Sequence, residues 1–100
     1  MSTPKRWTRE ELKHAVLAYK VLEQHANEGT KIHKTNFFKK VAEEMPTRTA
    51  KSYEFRMMNI SHVYELIGRE WVKGYRPAVN VGANVIAEIK SIINEIEAGE

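Results

Sequence analysis

The stretch that decides the fold is residues 37–60, FFKKVAEEMPTRTAKSYEFRMMNI, in which two helical patterns flank a proline. Apolar residues recur at helical spacing on both sides of Pro46, and proline cannot continue the helix that precedes it. We therefore predict a helix over residues 35–45, a tight connection, and a longer helix over residues 49–67 that ends before Gly68. The candidate N-caps, whose side-chain oxygens can accept from the first free N–H groups, are Thr35 or Asn36 and Thr47 or Thr49.

Two further helices complete the predicted fold. Thr8 and Glu11 have the spacing of a capping box, which begins a helix over residues 8–26. An isoleucine-rich helix is predicted over residues 82–98, where packing must compensate for the low helix propensity of β-branched side chains. The pattern predicts a single all-α domain over residues 1–100, with three helices in a helix-turn-helix core and a fourth helix packed on it.

Each predicted helix has one apolar face, and Trp7 is assigned to packing as well. The residues expected to be buried are Leu12, Ala15, Val16, Tyr19 and Leu22; Phe37, Phe38, Val41, Ala42 and Met45; Tyr53, Met57, Ile60, Tyr64 and Ile67; and Val85, Ile86, Ile89, Ile92, Ile93 and Ile96.

The composition is typical of a small cytoplasmic protein. The 100 residues include no cysteine, so neither a disulfide nor a thiolate metal site is available. No apolar window approaches the roughly 20 residues of a membrane helix, and the first six residues lack the apolar run of a secretory signal. We expect no membrane partner.

The net charge of +3 is unevenly distributed. Residues 1–56 contain twelve Lys and Arg against seven Glu, whereas residues 57–100 contain four against six. A basic front half suggests a face that meets a polyanion, although an ordinary solvated surface would have the same charge count.

The start of the third predicted helix has side chains suited to DNA. Arg48, Lys51 and Arg56 can donate to guanine or to phosphate, and Thr49 and Ser52 can contact either. In a helix-turn-helix unit the later helix lies in the major groove, and its N-terminal residues meet the base edges. The apolar stripe through Tyr53 and Met57 leaves Lys51, Ser52, Phe55 and Arg56 on other faces, so we expect the cations to project outward. A solvated cationic helix start explains the same residues without DNA.

Three short segments resemble a known family of DNA-recognition domains. They are Arg6-Trp7-Thr8-Arg9-Glu10-Glu11-Leu12, Lys31-Ile32-His33-Lys34-Thr35-Asn36, and Arg48-Thr49-Ala50-Lys51-Ser52 with Arg56 and Asn59-Ile60-Ser61. Over about residues 6–82 the chain is similar to the N-terminal domain that accompanies HNH endonucleases, including modification-dependent restriction enzymes. More distantly, it resembles the Myb/SANT three-helix pattern.

The resemblance implies a non-catalytic reader of double-stranded DNA that acts as the specificity module of a restriction-type nuclease. Some members of that family read modified cytosine, of which the 5-methyl and 5-hydroxymethyl forms are the candidates here. No nuclease domain follows in this sequence, so the resemblance implies a nuclease domain or protein in cis or in trans. Such a protein would be associated with the nucleoid when bound to DNA.

Modified cytosine could be read in two ways. An apolar side chain can contact the 5-methyl group in the major groove, or the base can be flipped into an aromatic pocket. In the loop over residues 69–79, Trp71 and Tyr75 are the candidates for stacking, with Lys73 and Arg76 beside them. The alternative for both aromatic side chains is packing between the third and fourth helices.

Two other places are candidates for DNA contact. Lys31, His33 and Lys34 form a basic edge before the second helix that suits phosphate contacts, and a solvated loop is the alternative. Asn59 lies about two turns into the third helix, where its amide could reach a base or bond to a neighbouring turn.

No catalytic or metal site is predicted, and no cofactor is expected. The chain has no Asp and no glycine-rich phosphate loop, and its glutamate pairs, Glu10-Glu11 and Glu43-Glu44, resemble solvated helix faces. The histidines, which lack the spacing of helical zinc motifs, are His14, His25, His33 and His62.

Two other kinds of partner remain open. A SANT-like module would bind a protein tail or helix, although the basic third helix favours DNA over protein. The fourth helix has more apolar residues than one narrow stripe requires, so part of it could form a homodimer.

Overall fold

A computed structural model of the chain describes residues 6–99; residues 1–5 and 100, at the ends of the predicted domain, lie outside the described part. The all-α prediction is confirmed, because the described residues form four helices and no strand. Every predicted helix begins and ends within two residues of the observed one. The observed helices are α1, Arg9–Glu28; α2, Lys34–Glu44; α3, Ala50–Leu66; and α4, Ala83–Ala98.

Helix α1 begins at the predicted capping box. The Thr8 hydroxyl accepts from the Glu11 N–H at 3.1 Å, and the Glu11 carboxylate accepts from the Thr8 N–H at 2.8 Å. The helix ends at Gly29, whose φ of 72° lies in the left-handed region that glycine adopts without a steric cost. Local sequence alone therefore accounts for both ends of α1.

The connection between α2 and α3 also follows from local sequence. Met45 is extended, at φ −144° and ψ 83°, because Pro46 disfavours the helical conformation in the residue before it. Thr49 caps α3 by accepting from the Ser52 N–H at 3.1 Å. Five residues thus separate two helices that pack against each other.

The N-cap of α2 differs from the prediction. His33 occupies the position instead of Thr35 or Asn36, and its ring Nδ1 accepts from the Asn36 N–H at 3.4 Å. Histidine is not among the side chains that commonly cap helices, which is why the sequence pattern did not indicate it.

One apolar core joins the four helices. Helix α1 contacts each of the other three, whereas α2 and α4 make no contact with each other. The apolar faces predicted from helical spacing point inward, except at Ile67, which follows the last residue of α3 and is not part of the core. The buried apolar residues of the helices are Leu12, Ala15, Val16, Ala18, Tyr19, Leu22, Phe38, Val41, Tyr53, Met57, Ile60, Val63, Tyr64, Ile89, Ile92 and Ile93.

A buried hydrogen-bond network fixes the segment that follows α3. The Tyr19 hydroxyl bonds to Ser61 Oγ at 2.9 Å and accepts from the Val72 N–H at 2.8 Å. Gly68, at φ 75°, turns the chain so that this segment returns over the helices. Residues 69–82 are therefore fixed against the helices, although they contain no helix.

Helix α4 directs its isoleucines into the domain. The fully buried ones are Ile89, Ile92 and Ile93, and Val85, Ile86 and Ile96 are half-buried against the same core. No large apolar side chain of α4 is exposed. Helix α4 therefore has no exposed large apolar side chain for the homodimer contact that the sequence suggested.

Candidate nucleic-acid interface

Ion pairs concentrate where α1 meets α4. Arg9 of α1 binds Glu88 and Glu95 of α4, each with an N–O distance of 2.6 Å, and Lys13 binds Glu95 at 3.1 Å. The hydrogen bonds from Arg9 and Lys13 lower the pKa of Glu95, which favours its ionised form. The cations of this contact are therefore neutralised within the protein.

A second ion-pair cluster lies beside the end of α3. Glu97 accepts from Lys20 and, at 2.6 Å, from Arg69, and both hydrogen bonds lower the pKa of Glu97. Arg69 also lies 3.7 Å from Glu23, and its guanidinium stacks on the Tyr64 ring at 4.7 Å. We call these two ion-pair clusters, on α1, α4 and the residues after α3, the paired side.

Most cations on α2, α3 and the adjoining segments are not neutralised in this way. We call these cations the open side, since they make no ion pair within residues 6–99. Unneutralised cations create a positive potential that attracts polyanions. Lys73 is also unpaired but lines the cavity beside Glu23 and Arg69, so it is not counted with them. The cations of the open side are Lys31, Lys34, Lys39, Lys40, Lys51, Arg56 and Arg76.

Arg48 differs from them, and the prediction that it projects outward is wrong. Its guanidinium lies 2.9 and 3.2 Å from the two Glu11 carboxylate oxygens and packs on the Trp7 ring at 5.1 Å. The Arg48 and Glu11 side chains are only 9% and 7% exposed. Arg48 therefore joins the α2–α3 connection to α1. Its guanidinium is not available for a contact with DNA.

The Glu11 carboxylate depends on this arrangement. Burial opposes its ionisation, but hydrogen bonds from Arg48, Thr47 and the Thr8 N–H outweigh that effect and lower the pKa of Glu11 to about 2. Thr47 donates to it at 2.6 Å. The glutamate that resembled a solvated face is thus a buried anion, while its neighbour Glu10 is exposed.

Arg56 is held in place without a carboxylate partner. Its guanidinium lies 4.4 Å from the centre of the Trp7 ring and donates to the Asn59 amide oxygen at 3.1 Å. Burial and the neighbouring Arg48 charge lower the pKa of Arg56, but an arginine remains charged at neutral pH. A positioned positive charge is therefore left for an external anion.

Lys51 and Phe55 form the outer surface of the first two turns of α3. Phe55 is 55% exposed, and the Lys51 ammonium lies 5.9 Å from its ring centre. Ser52 lies beside them and shares a hydrogen bond of 2.9 Å with the capping hydroxyl of Thr49. The exposure of Phe55 agrees with its predicted position off the stripe through Tyr53, although no contact was predicted for it.

The middle of α3 is covered by the segment that follows the helix. Asn59 Nδ2 donates to the Ala78 carbonyl at 3.1 Å, and the Ala78 N–H donates to the Met58 carbonyl at 3.0 Å. Arg56 donates to the oxygen of the Asn59 amide, and the amide nitrogen donates to Ala78. Of the two alternatives for Asn59, the structure therefore shows the bond to a neighbouring segment and not the contact with a base. The open part of this face is limited to the first two turns.

Tyr75 is part of the core, and its expected role in base stacking is wrong. The residue is 5% exposed, its ring packs on Phe38 at 6.1 Å, and the Lys34 ammonium lies 4.7 Å from the ring centre. Burial, with a smaller contribution from the Glu54 charge, raises the pKa of Tyr75 to about 12. No face of this ring is available for a base.

Trp71 lies far along α3 from Lys51. It is half-buried and lines a cavity of about 430 Å³ together with Glu23, Asn27 and Arg69. Glu23 and Arg69 contact Tyr64 near the C-terminal end of α3, whereas Lys51 is in the first turn. The structure therefore does not bring Trp71 to the open turns of α3.

The other predicted DNA contacts differ in whether the side chain is already bound within the protein. Lys31, Lys73 and Arg76 are exposed, and Lys34 is exposed although its ammonium covers a tyrosine ring. His33 is exposed too, but its ring nitrogen caps α2. The lysines and Arg76 are thus available to phosphates, while the His33 ring has a structural function.

No family model, curated protein or solved structure matches this chain. Within residues 6–99, no group of three or more histidine or acidic side chains could hold a metal ion. None of the four described helices is long and apolar enough to cross a bilayer.

Proposed function

We propose that this chain is a non-catalytic double-stranded DNA-binding domain that inserts the start of α3 into the major groove. The observation that carries the proposal is the open first two turns of α3, where Lys51, Phe55 and Arg56 lie together without a neutralising carboxylate bound to them. In helix-turn-helix and Myb-like domains, the corresponding turns of the later helix meet the bases.

Each of these side chains has a distinct proposed function. Lys51, at the exposed edge, donates to a guanine or to a phosphate. Arg56, held on Trp7, contacts a phosphate and sets the orientation of the domain. Phe55 makes the apolar contact that recognises a 5-methyl group on thymine or on modified cytosine.

The cations around α3 supply affinity that does not depend on sequence. Lys31, Lys34 and Arg76 are exposed and form no ion pair within the described part of the chain. Neutralising phosphates with such side chains releases counterions, so binding must weaken as salt is added.

Reading in the groove is favoured over base flipping. Flipping requires an aromatic pocket beside the bound strand, but Tyr75 is buried and Trp71 lies near the other end of α3. Phe55, in contrast, is exposed where the helix would enter the groove. We therefore propose that modified cytosine, if it is the target of the associated nuclease, is recognised by its methyl group within the duplex.

The test is fluorescence anisotropy with three duplexes of one sequence, carrying cytosine, 5-methylcytosine or 5-hydroxymethylcytosine, over a range of salt concentrations. Lys51→Gln should weaken binding about fivefold and reduce the salt slope by about one. Lys90→Gln is the matched control, because Lys90 is an exposed lysine of α4 and should have no effect. Absent or salt-insensitive binding to all three duplexes would overturn the proposal.

The Phe55→Ala variant tests the base preference separately. It should remove about fivefold of any preference for the 5-methyl duplex, since a single methyl contact contributes an effect of that order. Because Phe55 is exposed, the variant should keep its melting temperature. Equal affinity of the wild type for all three duplexes would remove the modified-base part and leave duplex binding intact.

A SANT-like protein-binding module is the second candidate. The exposed Phe55 favours it, because aromatic side chains are also common anchors of protein interfaces. A protein partner held by Phe55 would lose affinity in Phe55→Ala but show little dependence on salt. Salt dependence therefore separates the two functions.

A further inference from the structure

A largely apolar groove lies between α1 and α2. It has a volume of about 400 Å³, and its walls include Leu17 and Val21 of α1 and Phe37 of α2. Leu17 and Val21 are 44% and 42% exposed, which is unusual for adjacent aliphatic side chains one helical turn apart. The groove is separate from Lys51 and Phe55 and has no role in the proposed DNA contact.

The rim of the groove carries one basic and one acidic side chain one helical turn apart. Lys40 and Glu44 both line it, and they form no ion pair with each other. A lysine that precedes a glutamate by four residues has the less favourable orientation for pairing within a helix. The His14 Nε2 lies 3.7 Å from the Glu44 carboxylate and donates to the Val41 carbonyl at 2.9 Å.

This order of charges is complementary to itself. Along α2 the sequence reads Lys39-Lys40-Val41-Ala42-Glu43-Glu44, with the basic pair one turn before the acidic pair. A two-fold axis that crosses this rim midway between Lys40 and Glu44 would align two copies of α2 antiparallel, so that each Lys40 faces the Glu44 of the other copy. In such an isologous interface every contact occurs twice.

We propose that a second copy of this chain occupies the groove and forms a two-fold dimer through α1 and α2. The apolar contact comes from Leu17, Val21 and Phe37 of both copies, and two Lys40–Glu44 pairs fix the register. The proposal does not depend on DNA binding.

The first measurement is the mass of the full chain by sedimentation equilibrium, from micromolar to millimolar concentration. The wild type should shift with concentration from the chain mass of 11.6 kDa to twice that value. Lys40→Glu or Glu44→Lys alone places like charges opposite each other and should raise the dimer Kd about tenfold or more. Lys90→Glu, the same charge change on α4, should leave the Kd unchanged.

The decisive measurement is a mixture of the two single variants. One carries two glutamates on the rim and the other carries two lysines, so a heterodimer restores both pairs although each variant alone is repelled. Native mass spectrometry should show the heterodimer in excess of either homodimer. A wild type that is monomeric at every concentration, or variants that dimerise like the wild type without preferring the heterodimer, would overturn the proposal.

Discussion

The paired side and the open side contain the same cationic residue types in different environments. On the paired side, Arg9, Lys13, Lys20 and Arg69 are bound by carboxylates of α1 and α4. On the open side, cations such as Lys51 lie on the surface with no carboxylate bound to them within residues 6–99. The net charge of the chain is therefore less informative than the location of the cations that its own carboxylates do not neutralise.

Arg48 shows that a cation next to the open side can be used by the fold itself. It lies in the α2–α3 connection beside Lys51, yet it is nearly buried against Glu11. The pair differs from the exposed ion pairs of the paired side in its desolvation, so the loss of one partner has a larger cost. The buried pair and the exposed pairs should therefore differ in how much stability is lost when one partner is removed.

The largest effect is expected from Glu11→Gln. The substitution keeps the shape of the side chain but leaves the nearly buried Arg48 charge without its anion, so the free energy of unfolding should fall by about 3 to 4 kcal/mol. Urea denaturation at neutral pH measures this change. Glu10→Gln, at the exposed neighbouring position, should change stability by less than about 0.5 kcal/mol. Equal losses in both variants would contradict a structural function of the pair.

Acid should remove the same contribution without a mutation. The pKa of Glu11 is lowered from 4.5 to about 2, so this carboxylate stabilises the folded state above pH 4.5 and loses that effect as the pH falls toward 2. The expected loss is about 3 kcal/mol across that window. Denaturation curves at several pH values should show wild type and Glu11→Gln converging near pH 2. A difference that stays constant with pH would contradict the assignment.

The helices could be predicted from the sequence because their causes are local. The spacing of apolar residues, the capping box of Thr8 and Glu11, and the proline at position 46 each act within a few residues. The same kind of local pattern predicted the exposure of Phe55, since it lies off the buried stripe of α3.

The candidate site could be predicted only in part, because side-chain partners come from distant positions. Glu11 and Arg48 are 37 positions apart, and Asn59 and Ala78 are 19 apart. Neither pair has a local pattern that distinguishes it from exposed polar residues. Sequence therefore predicted which helix start is basic, but not which of its cations the fold itself uses.

A smaller effect is expected from Asn59→Ala. The substitution leaves the Ala78 carbonyl without its donor and should lower the free energy of unfolding by about 1 kcal/mol. Asn94→Ala is the matched control, because Asn94 is exposed within α4 and makes the same gain in helix propensity. If both variants were equally stable in urea denaturation, the Asn59 amide would not hold the segment after α3.

The smallest effect is expected from Glu97→Gln on the paired side. Its carboxylate is 30% exposed, so solvent and ions screen its attraction to Lys20 and Arg69, and the expected loss is below about 1 kcal/mol. That loss should shrink further between low and high salt, whereas the loss in Glu11→Gln should persist because its partner is buried. Urea denaturation of both variants at two salt concentrations makes the comparison. A Glu97→Gln loss as large as that of Glu11→Gln, and equally insensitive to salt, would mean that burial does not distinguish the two kinds of pair. The number of ion pairs in each cluster, and not burial, would then distinguish structural cations from surface cations.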